Sequence, residues 1–253
     1  MTKTDQLNDL FNEWKKKQVD EDDDSLKLTM LQGGNVVEKD FFCADGIICE
    51  EEFDNEKSKV LFIANEPNIE DKSNIVDGKK PQSESSQIDE FIKYYDSHHD
   101  DWRGKLRKKI CEIIYPAVID FNAIVFPVDK GWENAKKIAF MNLNKRGGTS
   151  TLGKYLKAYC VVYKEQILKE ILYINPDIIV WLGKSSFELC ADDLFDEIEK
   201  KNGCVLVKSQ GSIFPVIITY HPSYGVIQST HITEQMRGEF ARKEAEKYKE
   251  YIK

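Results

Sequence analysis

A carboxylate, a histidine and several amide side chains occur directly after apolar runs of this chain. Four apolar runs are each followed by a polar segment, namely residues 64–68 (ANEPN), 142–146 (NLNKR), 183–185 (GKS) and 221–224 (HPSY). If the runs are parallel strands, their carboxyl ends lie along one edge of a sheet, which is where such sheets bind ligands. Acidic, basic and amide groups gathered there can bind a small polar substrate and move its protons. The spacing therefore predicts one site at that edge.

The four runs predict strands that are buried on both faces, because they are almost continuously apolar rather than alternating. They cover residues 59–64 (KVLFIA), 137–142 (KIAFMN), 177–182 (DIIVWL) and 215–220 (PVIITY). Helical patterns separate them along the chain. This alternation predicts an α/β protein, a three-layer α/β/α sandwich with a central, mainly parallel four-stranded sheet.

The segments between and after these strands predict helices and short connections. The main helices are expected over residues 154–173, from a cap at Ser185 or Ser186 to about Lys201, and over residues 233–251. Shorter patterns predict a strand or turn around Asp45-Gly46 within residues 40–52, a loop at 69–86, helices near 87–97 and 101–119, and a strand over 205–208.

The first 58 residues differ in composition from the rest of the chain. Residues 2–17 predict an amphipathic helix whose apolar face carries Leu7, Leu10, Phe11 and Trp14. Residues 1–58 carry a net charge of −9, against −8 for the whole chain. We interpret them as a helical, acidic N-terminal extension that packs on an α/β domain of residues 59–253, the two forming one structural unit.

The charge distribution excludes a highly basic nucleic-acid-binding protein but allows a locally basic groove. Residues 103–109 contain five Lys or Arg and no acid, and residues 130–170 carry a net charge of +6. Because phosphate contacts depend on local charge, DNA fits as a partner. Solvated helix faces are the plainer interpretation. No run of about 18 apolar residues and no signal-peptide pattern occurs, so we expect a cytoplasmic protein with no membrane partner.

The spacing of the cysteines and the absence of the common cofactor motifs argue against a bound metal or cofactor. The six cysteines include no Cys-x-x-C pair, whereas zinc and iron–sulfur sites usually use closely spaced pairs. We therefore interpret them as small core residues. Neither a Gly-x-Gly-x-x-Gly loop, a Walker-type loop nor a Gly-x-Ser-x-Gly elbow is present. We expect neither a metal nor a cofactor.

The order of the polar segments resembles that of the uracil-DNA glycosylase superfamily. Residues 64–68 are similar to its Gly-x-x-Pro-Gly-like turn, and Asn142 to its strand-borne, base-reading Asn. Residues 175–183 (NPDIIVWLG) resemble its Pro-x-x-hydrophobic-Leu-Gly stretch, and residues 218–223 (ITYHPS) resemble its late His-Pro-Ser motif. The resemblance covers about residues 59–225 and includes no iron–sulfur cysteine pattern. It implies a DNA glycosylase without a metal.

The resemblance implies two catalytic residues. Glu66 would hold the attacking water under the sugar and offset the charge of the oxocarbenium-like transition state. His221 would donate a hydrogen bond to the departing base oxygen. Each residue also has a plainer interpretation: Glu66 as a turn cap or ion-pair partner, and His221 as a ring bonded to a backbone carbonyl.

The resemblance also implies residues that bind the base and the DNA. Asn142 can present both a donor and an acceptor to a pyrimidine edge, and Asn65 and Asn68 are further candidates for base binding. The candidate DNA contacts are Lys145, Arg146, Ser223 and Tyr224. The plainer interpretation of Asn142 is an Asn that ends a strand, and that of the candidate DNA contacts is solvated polar side chains.

The function predicted from these residues is hydrolysis of the N-glycosidic bond of uracil or a deaminated purine in DNA. One alternative is a catalytically inactive nucleic-acid or nucleotide-binding protein, favoured because both family glycines are replaced in residues 64–68. A further alternative is a hydrolase of a nucleoside or small N-glycoside, favoured by the net charge of −8. A steep loss of binding with salt distinguishes DNA from a nucleoside.

Overall fold

The computed structural model describes residues 1–20, 42–65, 84–86, 88, 107–120, 131–146, 153–219 and 234–251. The helices are α1 (Lys3–Asp20), α2 (Glu50–Asn55), α3 (Tyr115–Ile119, preceded by a π-helical segment, Lys109–Ile114), α4 (Gly131–Lys136), α5 (Gly153–Val162), α6 (Lys164–Ile174), α7 (Lys184–Leu194) and α8 (Glu234–Glu246). The strands are β1 (Phe42–Ala44), β2 (Gly46–Ile47), β3 (Val60–Ala64), β4 (Glu84–Ser86), β5 (Ile138–Asn142), β6 (Ile178–Leu182), β7 (Glu197–Lys201), β8 (Cys204–Ser209) and β9 (Ser212–Thr219).

The chain forms an α/β fold around a mixed sheet of seven strands in the order β2-β5-β3-β6-β9-β8-β7. Its four central strands, β5, β3, β6 and β9, are mutually parallel, whereas β2 at one edge and the β7–β8 pair at the other are antiparallel to their neighbours. The predicted four-stranded sheet is therefore too small. The edge strands β2, β8 and β7 extend its parallel centre on both sides.

Helices cover both faces of the sheet, and two apolar cores result. One core joins alternate strand residues to α1, α5, α6 and α7, while the other joins the remaining strand residues to the π-helical segment, α3 and α8. Every residue of β3, β5 and β6 is buried. This burial on both faces is the physical reason why these runs are continuously apolar.

Several elements confirm the sequence-based predictions. Helix α1 buries Leu7, Leu10, Phe11 and Trp14 as expected. The strands β3, β5, β6 and β9 lie on the four predicted apolar runs, and Asp45 lies between the short strands β1 and β2. Of the helix predicted near residues 87–97, only residue 88 is described, and it is helical. Most of the predicted loop at 69–86 lies outside the described residues, and its last three residues form β4.

Two predicted helices differ from the structure. The helix predicted over residues 154–173 is interrupted at Tyr163, whose ψ of 20° separates α5 from α6. The helix predicted to reach Lys201 ends at Leu194, and the strand β7 follows. Asn202 and Gly203 both have positive φ, 53° and 80°, and they form a two-residue hairpin turn between β7 and β8. An Asn-Gly pair is a strong hairpin signal, and it prevails here over the helix propensity of Glu and Lys.

The cap predicted for α7 is also different. Its N-cap residue is Gly183, which makes no side-chain capping bond. Ser186 instead donates to the Gly183 carbonyl at 2.9 Å and accepts a bond from Trp181 Nε1 at 3.1 Å. Ser186 therefore ties the first turn of the helix back to the end of β6.

Candidate functional site

The carboxyl ends of the four parallel strands lie side by side, and we call this row the carboxyl edge. Ala64 at the end of β3 is paired in register with Asn142 at the end of β5. Leu182 at the end of β6 is paired with Thr219 at the end of β9. The polar segments identified in the sequence therefore leave the sheet from one edge, as expected for a parallel sheet.

The turn after β6 is built on a glycine. Gly183 has a φ of 123°, a conformation that L-residues with a side chain rarely adopt. Its N–H lies 3.0 Å from the carbonyl oxygen of Thr219, which links the ends of β6 and β9. Because α7 starts at the next residue, the N-terminus of this helix lies at the carboxyl edge.

Asn142 is held by a carboxylate from the neighbouring edge of the sheet. Asp45 Oδ2 accepts hydrogen bonds from the Asn142 backbone N–H at 2.6 Å and from its Nδ2 at 3.3 Å. Both residues are only 1% exposed. One of the two Nδ2 hydrogens of Asn142 is thus engaged by Asp45, so the amide already has an internal partner.

Asp45 belongs to a buried group of charges that also contains Lys145 and Glu170, which together with Asn142 we call the polar cluster. The Lys145 ammonium donates to Asp45 Oδ1 and to Glu170 Oε1, the latter at 3.0 Å. The side chains of these three charged residues are completely buried. The cluster therefore holds one cation between two carboxyl groups in the absence of solvent.

Burial and mutual contact change the ionisation of this cluster. Burial raises the pKa of Glu170 well above its usual range; the Lys145 ammonium opposes this shift and Asp45 reinforces it. The Lys145 pKa is also raised, because its carboxyl neighbours outweigh the opposing effect of burial. One buried ammonium beside two buried carboxyl groups favours a state in which the carboxyl groups share one proton, because that state carries no net charge.

Aromatic side chains of helix α1 lie next to the Lys145 ammonium of the polar cluster. Lys145 Nζ lies 5.4 Å from the Phe11 ring centroid and 5.3 Å from that of Trp14, distances that allow cation–π attraction. Trp14 is fully buried. Phe42 and Tyr163 lie beside it, with centroids 5.8 and 5.9 Å away. The N-terminal helix thus forms part of the environment of Lys145.

Arg146 is also engaged inside the protein. Its guanidinium donates to Tyr163 Oη at 3.0 Å and to the Gln18 carbonyl at 3.4 Å. The residue is only 2% exposed, and Lys145 is fully buried. These positions argue against the predicted phosphate contacts, because both cations face protein groups rather than solvent.

Two amide atoms at the carboxyl edge are buried without a hydrogen bond to the described part of the chain. They are Oδ1 of Asn65 and Nδ2 of Asn144. The two residues are neighbours, since the Asn144 N–H donates to the Asn65 carbonyl at 2.9 Å. Buried polar atoms usually have a partner, so these two atoms are exceptions at the carboxyl edge.

The structure brings some of the predicted site residues together and leaves others undescribed. Asn65 and Asn142 lie at the ends of adjacent strands along the carboxyl edge. The remaining predicted residues, namely Glu66, Asn68, His221, Ser223 and Tyr224, lie outside the described residues.

The positive charge of residues 130–170 is largely compensated by neighbouring acids. The closest nitrogen–oxygen distances are 3.7 Å for Lys136–Glu52, 2.9 Å for Lys137–Glu56, 3.2 Å for Lys157–Asp193 and 2.8 Å for Lys169–Glu165. Glu52, Glu56 and Asp45 all come from the acidic N-terminal segment. In the described part of this sector, these four lysines and Lys145 therefore have acidic partners within the protein, which leaves fewer cations for a polyanion.

Sequence reasoning missed Asp45, Asn144 and Glu170. A signal for Glu170 was present, because it falls on the same helical face as Ile167, Ile171 and Ile174 of α6. A carboxylate on an apolar face requires an internal partner. Asp45 had no comparable signal, since its partners Asn142 and Lys145 lie about a hundred positions away in the sequence.

No group of three or more metal-ligating side chains occurs among the described residues. In the same part of the chain, no helix is both long and apolar enough to cross a membrane. No protein-family model matches the chain, and no match to it was found among curated proteins.

Proposed function

We propose that the protein hydrolyses the N-glycosidic bond of a deaminated base, with uracil in DNA as the leading substrate. In this proposal Glu66 holds the attacking water and offsets the positive charge that develops on the sugar. His221 donates a hydrogen bond to the oxygen of the departing base, and Asn142 and Asn65 bind the base. Asn68, Ser223 and Tyr224 remain proposed ligand contacts.

One observation carries this proposal: the in-register carboxyl edge. Glu66 follows the last residue of β3 by two positions, and His221 follows the last residue of β9 by two positions. Only β6 lies between these strands, so their ends are separated by about 10 Å. A nucleoside fits between groups that start at such a separation. The amide atoms of Asn65 and Asn144 that lack a partner within the described residues support a polar ligand at the same edge.

A free nucleoside or other small N-glycoside is the second candidate substrate. It is favoured by the ion pairing of residues 130–170 and by the burial of Lys145 and Arg146, which leave fewer cations for phosphates. A small substrate needs the same water-holding carboxylate and the same hydrogen bond to the base. The two candidates therefore share a mechanism and differ in the size and charge of the substrate.

The test is a base-excision assay on end-labelled oligonucleotides that carry uracil opposite G, opposite A or in single strands, or hypoxanthine or xanthine. Alkaline cleavage reports the abasic site, and release of free base from uridine and deoxyuridine is measured in parallel. Glu66→Gln and His221→Ala are compared with Lys184→Gln, an exposed residue next to the same edge.

We expect excision by the wild type and by Lys184→Gln, and a loss of at least about a hundredfold in each of the other variants. Cleavage of nucleosides but not of oligonucleotides identifies the second candidate. Excision that neither Glu66→Gln nor His221→Ala reduces contradicts the proposed site. Binding of oligonucleotides without any excision indicates the catalytically inactive protein.

A further inference from the structure

Asp45 controls which way the Asn142 amide points. Asp45 Oδ2 accepts from both the backbone N–H and Nδ2 of Asn142, at 2.6 and 3.3 Å. A carboxylate accepts hydrogen bonds, and only the nitrogen of an amide donates them. The contact therefore directs Nδ2 towards Asp45 through one of its two hydrogens, and it leaves the acceptor Oδ1 on the opposite side of the amide, where it can accept from a ligand.

Asp45 is itself held in place. Its other oxygen, Oδ1, accepts from the Lys145 ammonium, which also binds Glu170. The three charged side chains are completely buried, so water does not compete for these bonds. The orientation of the Asn142 amide is thus set before any ligand arrives, at the end of β5 beside Ala64.

We propose that Asp45 is a positioning residue that fixes Asn142 as a hydrogen-bond acceptor and thereby selects bases with a ring N–H. This inference rests on the proposed function, because it assumes that a base binds at the carboxyl edge. Uracil carries N3–H and hypoxanthine carries N1–H, and either can donate to Asn142 Oδ1. Cytosine N3 and adenine N1 are acceptors, so an acceptor at position 142 disfavours them.

A substitution of Glu170, another member of the polar cluster, is a matched control for the structural effect of changing the cluster. Glu170 binds the same Lys145 ammonium and is equally buried. Glu170→Gln therefore disturbs the cluster but keeps the carboxylate that orients Asn142. Asp45→Asn removes the obligate acceptor, and Glu170 remains to neutralise Lys145. An Asn at position 45 has one acceptor oxygen for three donors, namely the Lys145 ammonium and the backbone N–H and Nδ2 of Asn142, so it no longer fixes the Asn142 amide.

The experiment compares uridine with 3-methyluridine, in which a methyl group replaces the N3 hydrogen, by NMR titration of the full chain. We expect the wild type and Glu170→Gln to prefer uridine. In Asp45→Asn the preference falls by about tenfold, the value of one hydrogen bond to a fixed polar group. The reversed pair Asp45→Asn/Asn142→Asp restores an acceptor at position 142 and therefore the preference.

Excision of uracil from oligonucleotides by the same four proteins separates this inference from the proposed function. A wild type that excises no base but prefers uridine in the expected way contradicts the proposed catalysis and supports the role of Asp45. If the wild type binds the two nucleosides equally or binds neither, the inference is overturned. It is also overturned if Asp45→Asn keeps the wild-type preference or if Glu170→Gln loses it to the same extent.

Discussion

Two lysines of this protein each contact two carboxylates, but in opposite environments. Lys145 lies in the polar cluster between Asp45 and Glu170, with all three side chains completely buried. Lys208 lies on the β7–β8 hairpin, 2.9 Å from Glu197 and 3.6 Å from Glu199. Its side chain is 33% exposed and that of Glu197 is 56% exposed. The two groups carry similar charges but differ in their exposure to solvent.

The comparison shows that burial, rather than the number of ion pairs, decides what such a group does. At the hairpin, water solvates each charge almost as well as the partner does, so the pairs add little. In the polar cluster, removing one member leaves a charge without water or a counter-ion. The buried group can therefore fix the position of a side chain such as Asn142, whereas the exposed group cannot.

The largest effect is expected from Lys145→Met. The substitution leaves Asp45 buried without its cation, and we expect a loss of about 3–5 kcal/mol in the free energy of unfolding. Urea unfolding followed by circular dichroism measures this loss. Asp45→Asn/Lys145→Met, which removes the uncompensated charge as well, should recover part of it. A midpoint for Lys145→Met equal to that of the wild type would contradict the structural role of the cluster.

The second-largest effect is expected from Glu170→Gln, which changes how the free energy of unfolding depends on pH. Burial raises the Glu170 pKa, so the folded protein binds this proton more tightly than the unfolded chain does. The stability gained in this way is complete below the ordinary pKa of 4.5 and is lost as pH rises through the folded-state pKa. Glu170→Gln cannot lose a proton, so its stability relative to the wild type should increase with pH.

Each pH unit between the two pKa values of Glu170 contributes about 1.4 kcal/mol to this difference. Urea midpoints of both proteins measured from pH 4 to 9 provide the comparison. Glu199→Gln on the hairpin is the exposed control and should follow the wild type at every pH. Parallel pH profiles for Glu170→Gln and the wild type would show that Glu170 is ionised in both the folded and unfolded states.

A smaller effect is expected from Tyr248→Phe, which removes a buried polar group without a net charge. Tyr248 Oη accepts from the Val205 N–H at 2.8 Å and donates to the Val216 carbonyl at 2.5 Å. Burial, the main cause, raises the Tyr248 pKa to about 12, so the hydroxyl is neutral at physiological pH. We expect a loss of about 1–3 kcal/mol, measured by urea unfolding. Tyr251→Phe, on a partly buried neighbouring residue, is the control.

The smallest effect is expected from Lys208→Met. This change removes both exposed ion pairs of the hairpin and leaves Glu197 and Glu199 solvated. The thermal midpoint should not change measurably, and moderate salt should affect the variant no more than the wild type. A loss comparable to that of Lys145→Met would show that exposure does not distinguish the two clusters.

The parallel centre of the fold could be predicted from the sequence, but its edges could not. The runs in β3, β5 and β6 are apolar along their whole length because both faces are covered. The edge strand β7 reads EIEKK, and its exposed charged residues resemble a helix surface. Charged residues are also what an edge strand uses to avoid pairing with other chains. Composition alone therefore favoured the wrong element there.

The candidate site was predictable to a lesser extent. The position of Asn142 at the end of a buried strand follows from the sequence, and the structure places it in register with the end of β3. The sequence could not tell that the Asn142 amide faces Asp45, or that Lys145 and Arg146 turn inward. A Lys or Arg in a polar segment is exposed in most proteins, so its burial depends on partners that are distant in the chain.

The sequence by itself determined the alternation of buried strands and amphipathic helices, because burial on one or both faces imposes a period on the apolar residues. It also determined that polar segments follow the parallel strands. Only the tertiary structure decided how the charges are used. It joins Asp45, Lys145 and Glu170 from three separate segments and covers them with Phe11 and Trp14. Electrostatic effects depend on the distance between charges and on their exposure to solvent, and neither follows from the order of the residues alone.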